Sequence, residues 1–303
     1  MRQSKIKDKL ILRSKIVFMI RSFFIKKGYV EVDTPVRIPS PAPELYIDAQ
    51  KSGSWYLQTS PELCMKELLA AGFENIFQIS KCFRMDERGH KHLPEMNLLE
   101  WYCINKDYLF LMDQTEDLFR YIATELNGGN KLNYQNSEID LSQPFDRITV
   151  RNSFDLYGSM SMDEALAEDK FDEILGLEIE PKLGQGKPVF LYNYPKEMGA
   201  LARINKEDSS VAERFELYIS GLELCNAFSE LTDAKEQRER FNETISERED
   251  LGKDIYPMAE KFLSILPLMP EAAGIALGVE RLLMLFTDSK TIDDVTFFLP
   301  EEL

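Results

Sequence analysis

Apolar and polar residues alternate with the period of a helix near the beginning of the chain, and this pattern ends at Gly28. It predicts a helix over 8–27, since residues three or four apart share one helical face. A short strand, YVEV, and a loop with four prolines, TPVRIPSPAPE, come next. Ser-Pro-Glu at 60–62 supplies a capping hydroxyl, a first-turn proline and an acid, which predicts a second helix through about Ala71. The apolar positions of the first helix are Leu10, Ile11, Ile16, Val17, Ile20, Phe23 and Phe24.

Alternation with a period of two begins further along, over 76–85 and again over 96–104. This period predicts two strands, because successive strand residues point to opposite faces of a sheet. The segment FRMDERGHKHLPEMNLLEWY, residues 83–102, joins them and contains the only two histidines, His90 and His92. We therefore predict a long hairpin in which a strongly charged loop separates two apolar strands.

The remainder of the chain mixes both periods. Helices are predicted over 108–126, closed by Gly128 and Gly129, and over the charged residues 232–250. The segments KPVFLYNYP, SVAERFELYISGLELCNAF and EAAGIALG are predicted strands. The turn-rich and then acidic residues 130–185 are interpreted as a helical insertion or small subdomain. This order favours a single α+β domain with an antiparallel sheet flanked by helices, rather than a Rossmann arrangement.

Composition narrows the class of partner. The 303 residues are 44% hydrophobic, which suffices for a sizeable core, and carry a net charge of −16. Residues 1–27 hold nine Lys or Arg against one Asp, so the rest sums to about −24. This balance argues against nucleic acid as the main partner, because Lys and Arg supply affinity for phosphate backbones. No uncharged apolar run is long enough for a membrane span or a signal peptide.

Cysteine spacing indicates a reducing compartment. No CxxC pair occurs, so the chain predicts neither a zinc site nor a disulfide framework, and a cytoplasmic location is expected. The pair His90 and His92 lacks a third histidine and makes a poor zinc site. The four cysteines are Cys64, Cys82, Cys103 and Cys225.

Three separated segments carry candidate chemistry. Arg84 begins the charged loop, and Arg281 follows the glycine-rich strand GIALG. Glu216 and Glu223 are seven residues apart, so they share a face only if a bend or bulge near Gly221 resets the register. Two acids able to share Mg²⁺, with arginines from other elements, are typical of a site for a nucleotide polyphosphate. Taken singly, each of these residues is more often a surface ion pair or a packing residue.

These segments resemble the class II aminoacyl-tRNA synthetases of the lysyl branch over nearly the whole chain. GYVEVDTP resembles motif 1, CFRMDERGHKHLPEMNLLEWY resembles motif 2, and GIALGVERLLML resembles motif 3. TSPELCMKELLAAG and ELCNAFSELTD are similar to further lysyl-branch segments. The resemblance implies a class II synthetase-like catalytic domain that joins a lysine-type amino acid to ATP, with Mg²⁺, as an aminoacyl-adenylate.

The resemblance also implies residue roles. Arg84 would hold the α-phosphate and the amino-acid carboxylate, and Arg281 the γ-phosphate; these two are the expected catalytic residues. Glu216 and Glu223 would bind Mg²⁺. The implied ATP-binding residues are Arg84, Asp86, Arg88, Met96, Glu216, Leu217, Gly278 and Arg281. The implied amino-acid residues are Ser60, Glu62, Glu100, Tyr102, Glu223, Asn226, Glu230 and Ala276, with Tyr102 and Glu230 reading a side-chain ammonium.

Two departures point to one branch of the family. The segment that resembles motif 1 lies within the first 35 residues, so the anticodon-binding barrel that precedes it in lysyl-tRNA synthetases is not expected here. Ala276 occupies a position where those enzymes usually have glycine. The chain is more similar to stand-alone paralogues that attach lysine or β-lysine to a lysine of translation elongation factor P, and tRNA is not an expected partner. A homodimer is expected through the apolar stripe of the motif 1 helix.

Two alternatives stay open at this level. The chain could charge tRNA without an anticodon domain of its own. It could instead bind an amino acid or nucleotide without catalysis, since Asp86 replaces the usual Glu, Leu93 an expected asparagine and Met96 an aromatic ring beneath adenine.

Overall fold

Eight strands form one sheet in the computed structural model, which describes all 303 residues, and their order across it is β1-β5-β6-β13-β12-β11-β10-β9. All neighbouring pairs are antiparallel except the two at the edges, β1 with β5 and β9 with β10. Two smaller sheets pair β2-β4-β3 and β7-β8. The strands are β1 Val30–Glu31, β2 Arg37–Ile38, β3 Lys51–Ser52, β4 Trp55–Leu57, β5 Asn75–Phe83, β6 Glu95–Ile104, β7 Lys131–Tyr134, β8 Ser137–Asp140, β9 Asp146–Thr149, β10 Val189–Pro195, β11 Val211–Ile219, β12 Leu222–Ser229 and β13 Ala272–Gly278.

Ten α-helices surround the sheets. They are α1 Arg2–Lys5, α2 Lys7–Lys26, α3 Glu62–Ala70, α4 Tyr108–Asn127, α5 Val150–Tyr157, α6 Met162–Ala167, α7 Phe171–Ile174, α8 Ala234–Asp250, α9 Glu260–Ile265 and α10 Val279–Phe286. None of them combines the length and the apolarity that a bilayer crossing demands. The expected α+β architecture, a largely antiparallel sheet flanked by helices, is therefore confirmed.

One face of the main sheet is apolar and holds the principal core, into which α2, α4 and α10 pack. Trp101 of β6, Phe215 of β11 and Ile275 of β13 contribute to this cluster of 40 buried residues. Burying this much apolar surface is the main favourable contribution to folding. The opposite face carries the polar residues of the same strands, because side chains alternate along each strand.

The predicted elements near the beginning are observed with small shifts at their ends. The helix predicted over 8–27 is α2, and the one over 108–126 is α4, which ends at Gly128 with φ 68°. That positive φ favours glycine over residues with a side chain. The two strands of the charged hairpin are β5 and β6, paired from Asn75 opposite Cys103 to Phe83 opposite Glu95.

The apolar stripe of α2 packs inside the protein. Phe24 stacks on Phe77 at 5.0 Å between ring centroids and lies 5.0 Å from Trp101. Five of the seven stripe residues are buried within the subunit, so a contact with a twofold mate could use only the exposed part of the stripe, and the homodimer stays a prediction. The exposed apolar residues of α2 are Ile11, which belongs to the stripe, and Phe18 and Ile25, at 47%, 71% and 59% exposure.

Residues 130–185 contain strands before helices. β7, β8 and β9 precede α5, so the helical part begins only at Val150. The helices α5, α6 and α7 share a second apolar cluster with β10 and Tyr218 of β11. This cluster packs against the outer half of the main sheet, while the β7-β8 hairpin joins the principal core.

Candidate functional site

Glu216 and Glu223 lie on the two strands of one hairpin. Ser220 and Gly221 form its turn with φ values of 51° and 69°, as tight two-residue hairpin turns require. A bulge in β12 then shifts the register, so that Leu217 pairs with Cys225 but Tyr218 pairs with Glu223. Residues directly opposite in an antiparallel pair share a face. The turn and the bulge together therefore bring both acids to the polar face of the sheet.

A row of polar and small residues crosses this face. Glu100 of β6 is opposite Ala276 of β13, Ala276 is opposite Asn226 of β12, and Asn226 is opposite Glu216 of β11. A second row contains Tyr102, Gly274 and Phe228 in the same strands. Met96, opposite Cys82, and Gly278, opposite Leu98, lie on the same face nearer the charged loop. Five strands thus contribute to one cleft.

Arg281 stands at the phosphate-facing end predicted for this cleft. Its Nη1 donates to Glu223 Oε2 at 2.9 Å, and its Nη2 lies 2.6 Å from His92 Nε2. Burial of the ring, followed by the charge of Arg281, lowers the pKa of His92. Burial alone would raise the pKa of Glu223, but Arg281 and Arg84 outweigh it, and the pKa is lowered. Glu223 is consequently ionised and held by cations.

Glu216 is more deeply enclosed than Glu223. Arg214 Nη2 lies 2.6 Å from its Oε1, and the Tyr218 hydroxyl donates to its Oε2 at 2.6 Å. Burial raises the pKa of Glu216 despite Arg214, and the nearby charge of Glu223 raises it further. Two carboxylates on adjacent strands are oxygen ligands of the kind that Mg²⁺ prefers, with phosphate oxygens completing its shell.

Arg84 keeps free hydrogen-bonding capacity. Its buried Nε donates to no acceptor, and its nearest acid is Glu87, with Nη1 and Oε1 3.7 Å apart. A guanidinium with unused donors inside a cleft is suited to a carboxylate or a phosphate. Gly278 gives a weaker indication, since a Cβ built there would meet only the Arg281 side chain, at 3.7 Å.

The end of the cleft that is predicted to bind the amino acid contains buried acids. Glu100 is fully buried and accepts hydrogen bonds from Ser60 Oγ at 2.6 Å and Tyr102 Oη at 2.9 Å. Burial, reinforced by Glu62, raises its pKa to about 8. Burial likewise raises the pKa of Glu230 to about 8, against the opposing effect of Lys66. Each acid gains its charge readily only when a cation arrives.

Lys66 belongs to this cluster and was missed from the sequence. Its Nζ lies 2.5 Å from Glu62 Oε1 and 2.5 Å from Glu230 Oε2, and the residue is 2% exposed. The Phe228 ring centroid is 5.2 Å from the ammonium. The spacing of Glu62 and Lys66, four residues apart on a helix, was the signal that could have found it. Its partner Glu230 could not be found in that way.

Three predicted ATP-binding residues are placed differently from expectation. Arg88 turns toward the end of the chain, where its Nε contacts Glu301 at 2.7 Å and its Nη1 contacts Asp293 at 3.0 Å. The Leu217 side chain lies in the principal core on the far face, because it alternates with Glu216, so a side-chain contact with ATP is excluded. Asp86 is exposed in a turn with φ 63°.

Comparison with known proteins defines the class. The chain belongs to the class II tRNA synthetases of the D, K and N group, whose family model matches residues 1–302. It is 36% identical to the lysine–tRNA ligase of Campylobacter jejuni strain RM1221 over 97% of its length. The chain spans only 64% of that relative, as it does for the other lysine–tRNA ligases of Campylobacter jejuni that it matches.

A second group of relatives matches along nearly their whole length. The chain is 37% identical to the elongation factor P–(R)-β-lysine ligase of Avibacterium paragallinarum and 38% identical to that of Histophilus somni. Both matches cover 95% of this chain and 94% of the relative. The predicted membership of the lysyl branch, with likeness to the elongation factor P ligases, is confirmed.

Proposed function

We propose that this protein is an ATP-dependent ligase that activates lysine or β-lysine as an adenylate, with release of pyrophosphate. It then passes the aminoacyl group to the amine of a lysine of translation elongation factor P, with release of AMP. The row of Glu100, Ala276, Asn226 and Glu216, with Arg281 at its edge, carries the proposal. It combines acids suited to ammonium groups with guanidinium groups suited to phosphate. The names of the elongation factor P–(R)-β-lysine ligases, which match along 94% of their own length, support the same assignment.

The chain's own residues have distinct tasks in this reaction. Arg84, with its unpartnered Nε, binds the amino-acid carboxylate and the α-phosphate, so that two anions can approach each other. Arg281 exchanges Glu223 for the γ-phosphate. Glu216 and Glu223 would hold Mg²⁺, which when bound stabilises the charge of the phosphate groups. Buried charge stabilisation of this kind is usually the largest contribution to such catalysis.

The amino-acid end selects a cationic side chain. Glu100 and Glu230 are buried, so ionising either of them costs free energy unless a further cation accompanies the new charge. A neutral analogue of lysine leaves this cost uncompensated, so it is rejected. The Ala276 methyl lies between Glu100 and Asn226, which favours an amino group displaced from the α position, as in β-lysine.

A tRNA-charging activity is the second candidate, because lysine–tRNA ligases are 36% identical over 97% of the chain. The two activities differ in their product. Transfer to a protein lysine gives an alkali-stable amide, whereas transfer to tRNA gives an alkali-labile ester.

We also propose that the protein works as a cytoplasmic homodimer. Ile11, Phe18 and Ile25 are seven residues apart on α2, so they form one exposed apolar side of that helix. Its four cysteines are free thiols, as in a reducing compartment. Light scattering tests the dimer, and Phe18→Asp should yield a monomer.

The activity is tested by pyrophosphate exchange with α-lysine, β-lysine and norleucine. Mass spectrometry of elongation factor P, after incubation with enzyme, ATP and each amino acid, then identifies the acceptor. Exchange with a lysine isomer and a matching mass increase on the factor support the proposal. No exchange with any amino acid by the folded protein in the presence of Mg²⁺ refutes it, and an ester on tRNA instead supports the second candidate.

A further inference from the structure

Lys66 connects two elements that are far apart in the chain. It lies in the second turn of α3, one turn after Glu62, and its ammonium also meets Glu230 immediately after β12. The lysine is 2% exposed and Glu230 1%. An ammonium buried this completely stays charged only if its partners compensate its desolvation. Burial would lower the pKa of Lys66, but Glu230 and Glu62 outweigh it and raise the pKa.

The charges of this pocket do not cancel. Its interior contains three carboxylates, those of Glu62, Glu100 and Glu230, and one cation, that of Lys66. Ser60 and Tyr102 donate hydrogen bonds to Glu100 but add no charge. The pocket has a net charge of −2 only when all three acids are ionised. Because the pKa values of Glu100 and Glu230 are about 8, these two charges form as two ammonium groups of a ligand enter. An unmatched buried charge is strongly unfavourable, so this excess favours a dication.

The outer side of the pocket has a different balance of positive and negative charges and is more exposed to solvent. Arg84 and Glu87 are each 25% exposed there, and the charge of Glu44 interacts with both Arg84 and Glu62. Side-chain exposure also falls along the pocket, from 17% for Glu62 to none for Glu230. One ammonium group of the ligand would consequently lie near Glu62, with the ligand's carboxylate toward Arg84, and the other ammonium group would lie deep in the pocket near Glu230.

Glu230 has hydrogen-bonding capacity left for that second group. Neither of its buried carboxylate oxygens accepts an aligned hydrogen bond, although Lys66 Nζ is 2.5 Å from Oε2. Gly274 keeps the neighbouring space open, since a Cβ built there would lie 2.2 Å from Glu230 Oε1 and 2.2 Å from Tyr102 Cε1. A primary ammonium offers three donors, which suits such a group.

We propose that Lys66 is a positioning residue that sets the charge and the length of the amino-acid pocket. By tying Glu62 to Glu230 it compensates one of the three carboxylates and leaves the other two to ionise against two ammonium groups of the ligand, so that the pocket takes diamino acids and rejects monoamino acids. This inference rests on the proposed function, because it concerns the same pocket.

Calorimetric binding to the parent protein is the first experiment. The ligands are lysine, β-lysine, norleucine and 1,5-diaminopentane, which has two ammonium groups and no carboxylate. The charge count predicts that 1,5-diaminopentane competes with the bound lysine isomer and that norleucine does not. Competition by norleucine without competition by the diamine would overturn the inference. Failure of both lysine isomers to bind would refute the proposed function instead.

Lys66→Met and Lys66→Arg form the second experiment, with Lys261→Met as the matched control. Lys261 of α9 contacts Glu67 on the outer side of α3, so the control substitution removes a lysine–glutamate pair that involves the same helix as Lys66. Breaking the buried pairs should weaken binding of lysine about 100-fold in Lys66→Met. Lys66→Arg keeps the cation and should restore at least a tenth of the parent affinity. The control and the ATP affinity should stay within about twofold of the parent.

The pH profile separates this role from simple packing. Without Lys66, which lowers the pKa of Glu230, that acid holds its proton to higher pH, so lysine affinity in Lys66→Met should reach its maximum about one pH unit above the parent. Lys66→Arg should keep the parent profile. Parent-like affinity and pH profile in Lys66→Met would overturn the inference. If Lys66→Met does not fold, a folded Lys66→Arg variant with an alkaline shift of one unit or more overturns it.

Discussion

Arg281 and Glu223 are 58 residues apart in sequence and form an ion pair of 2.9 Å in the candidate phosphate end of the cleft. The pair unites the arginine expected to hold the γ-phosphate with an acid expected to hold Mg²⁺. Each group neutralises the other in the free protein, and we expect ATP and its metal to separate them on binding.

Replacing Arg281 by alanine should lower kcat/KM for ATP in pyrophosphate exchange about 100-fold or more, because the charge that stabilises the phosphate groups is lost. The melting temperature should change little, since Arg281 lies in the cleft and not in the core. Arg238→Ala is the matched control, as it removes an arginine–glutamate pair on the surface, with Glu260 at 2.6 Å. Unchanged ATP use by Arg281→Ala would remove Arg281 from the proposed site.

The buried acids predict how stability depends on pH. Glu100 and Glu230 have pKa values of about 8 in the folded protein, above the ordinary value near 4.5. Between these values the folded state binds more protons than the unfolded state, so the free energy of unfolding falls as pH rises through 8. The melting temperature of the ligand-free protein should decrease between about pH 6 and pH 9.

Glu230→Gln should flatten that decrease, because an amide does not titrate. Glu138→Gln, which alters an exposed pair with Lys131, should leave it as in the parent. Added lysine should stabilise the parent more strongly at the alkaline end, where the acids are ionised. A parent whose melting temperature rises over this range would contradict the predicted direction.

Ala276→Gly should change the choice between the two lysine isomers. Removing the methyl between Glu100 and Asn226 makes room for an α-amino group, and discrimination by one methyl is worth about 10-fold or more. Pyrophosphate exchange with each isomer measures the ratio of kcat/KM. Ala273→Gly adds a glycine to the same strand on its core side and should leave that ratio unchanged. An equal ratio in Ala276→Gly would show that the methyl is ordinary strand packing.

Gly274→Ala should block the amino-acid pocket. The new methyl would lie 2.2 Å from both Glu230 Oε1 and Tyr102 Cε1, so both side chains must move. Lysine KM should increase about 10-fold or more, with ATP KM unchanged. Gly176→Ala is a suitable control, because a Cβ there meets nothing within 4 Å. Normal lysine KM in Gly274→Ala would argue that the amino acid binds elsewhere.

Glu301→Gln tests whether Arg88 is available to ATP. The guanidinium of Arg88 contacts the carboxylates of Glu301 and Asp293, whereas the ligand expected for it is a phosphate of ATP. An exposed ion pair contributes up to about 1 kcal/mol, so its loss should lower ATP KM roughly two- to fivefold. Glu302→Gln, which removes the neighbouring contact with Arg2, is the control. An unchanged ATP KM in Glu301→Gln would indicate that Arg88 does not bind ATP.

The pattern of apolar residues was sufficient to predict most of the helices and strands. Helix α4 differs from its prediction by one residue at its end, and strands β5 and β6 by one or two. Such features depend on neighbours a few residues apart, which the sequence displays directly. The two parallel pairs at the sheet edges, β1 with β5 and β9 with β10, were not predicted, because the partners in each pair are distant in sequence.

Glu216 and Glu223 also show what the sequence could predict and what it could not. The odd spacing of Glu216 and Glu223 showed that a regular strand could not bring them together, and a reset near Gly221 was required. The sequence did not indicate that the chain reverses at Ser220 and Gly221 and that β12 then bulges. Only cross-strand pairing selects that register, since it is the one that buries Leu217 and Cys225 in the core.

The sequence by itself determined most of the elements, the α+β class, the kinds of charged group available and the family that they resemble. The tertiary structure alone decided which charges meet: Lys66 with Glu230, Arg281 with Glu223, and Arg88 with Glu301. The physical reason is the distance along the chain over which each effect acts. Periodicity and capping are local, whereas an ion pair between distant residues exists only after the sheet register has fixed where each side chain lies.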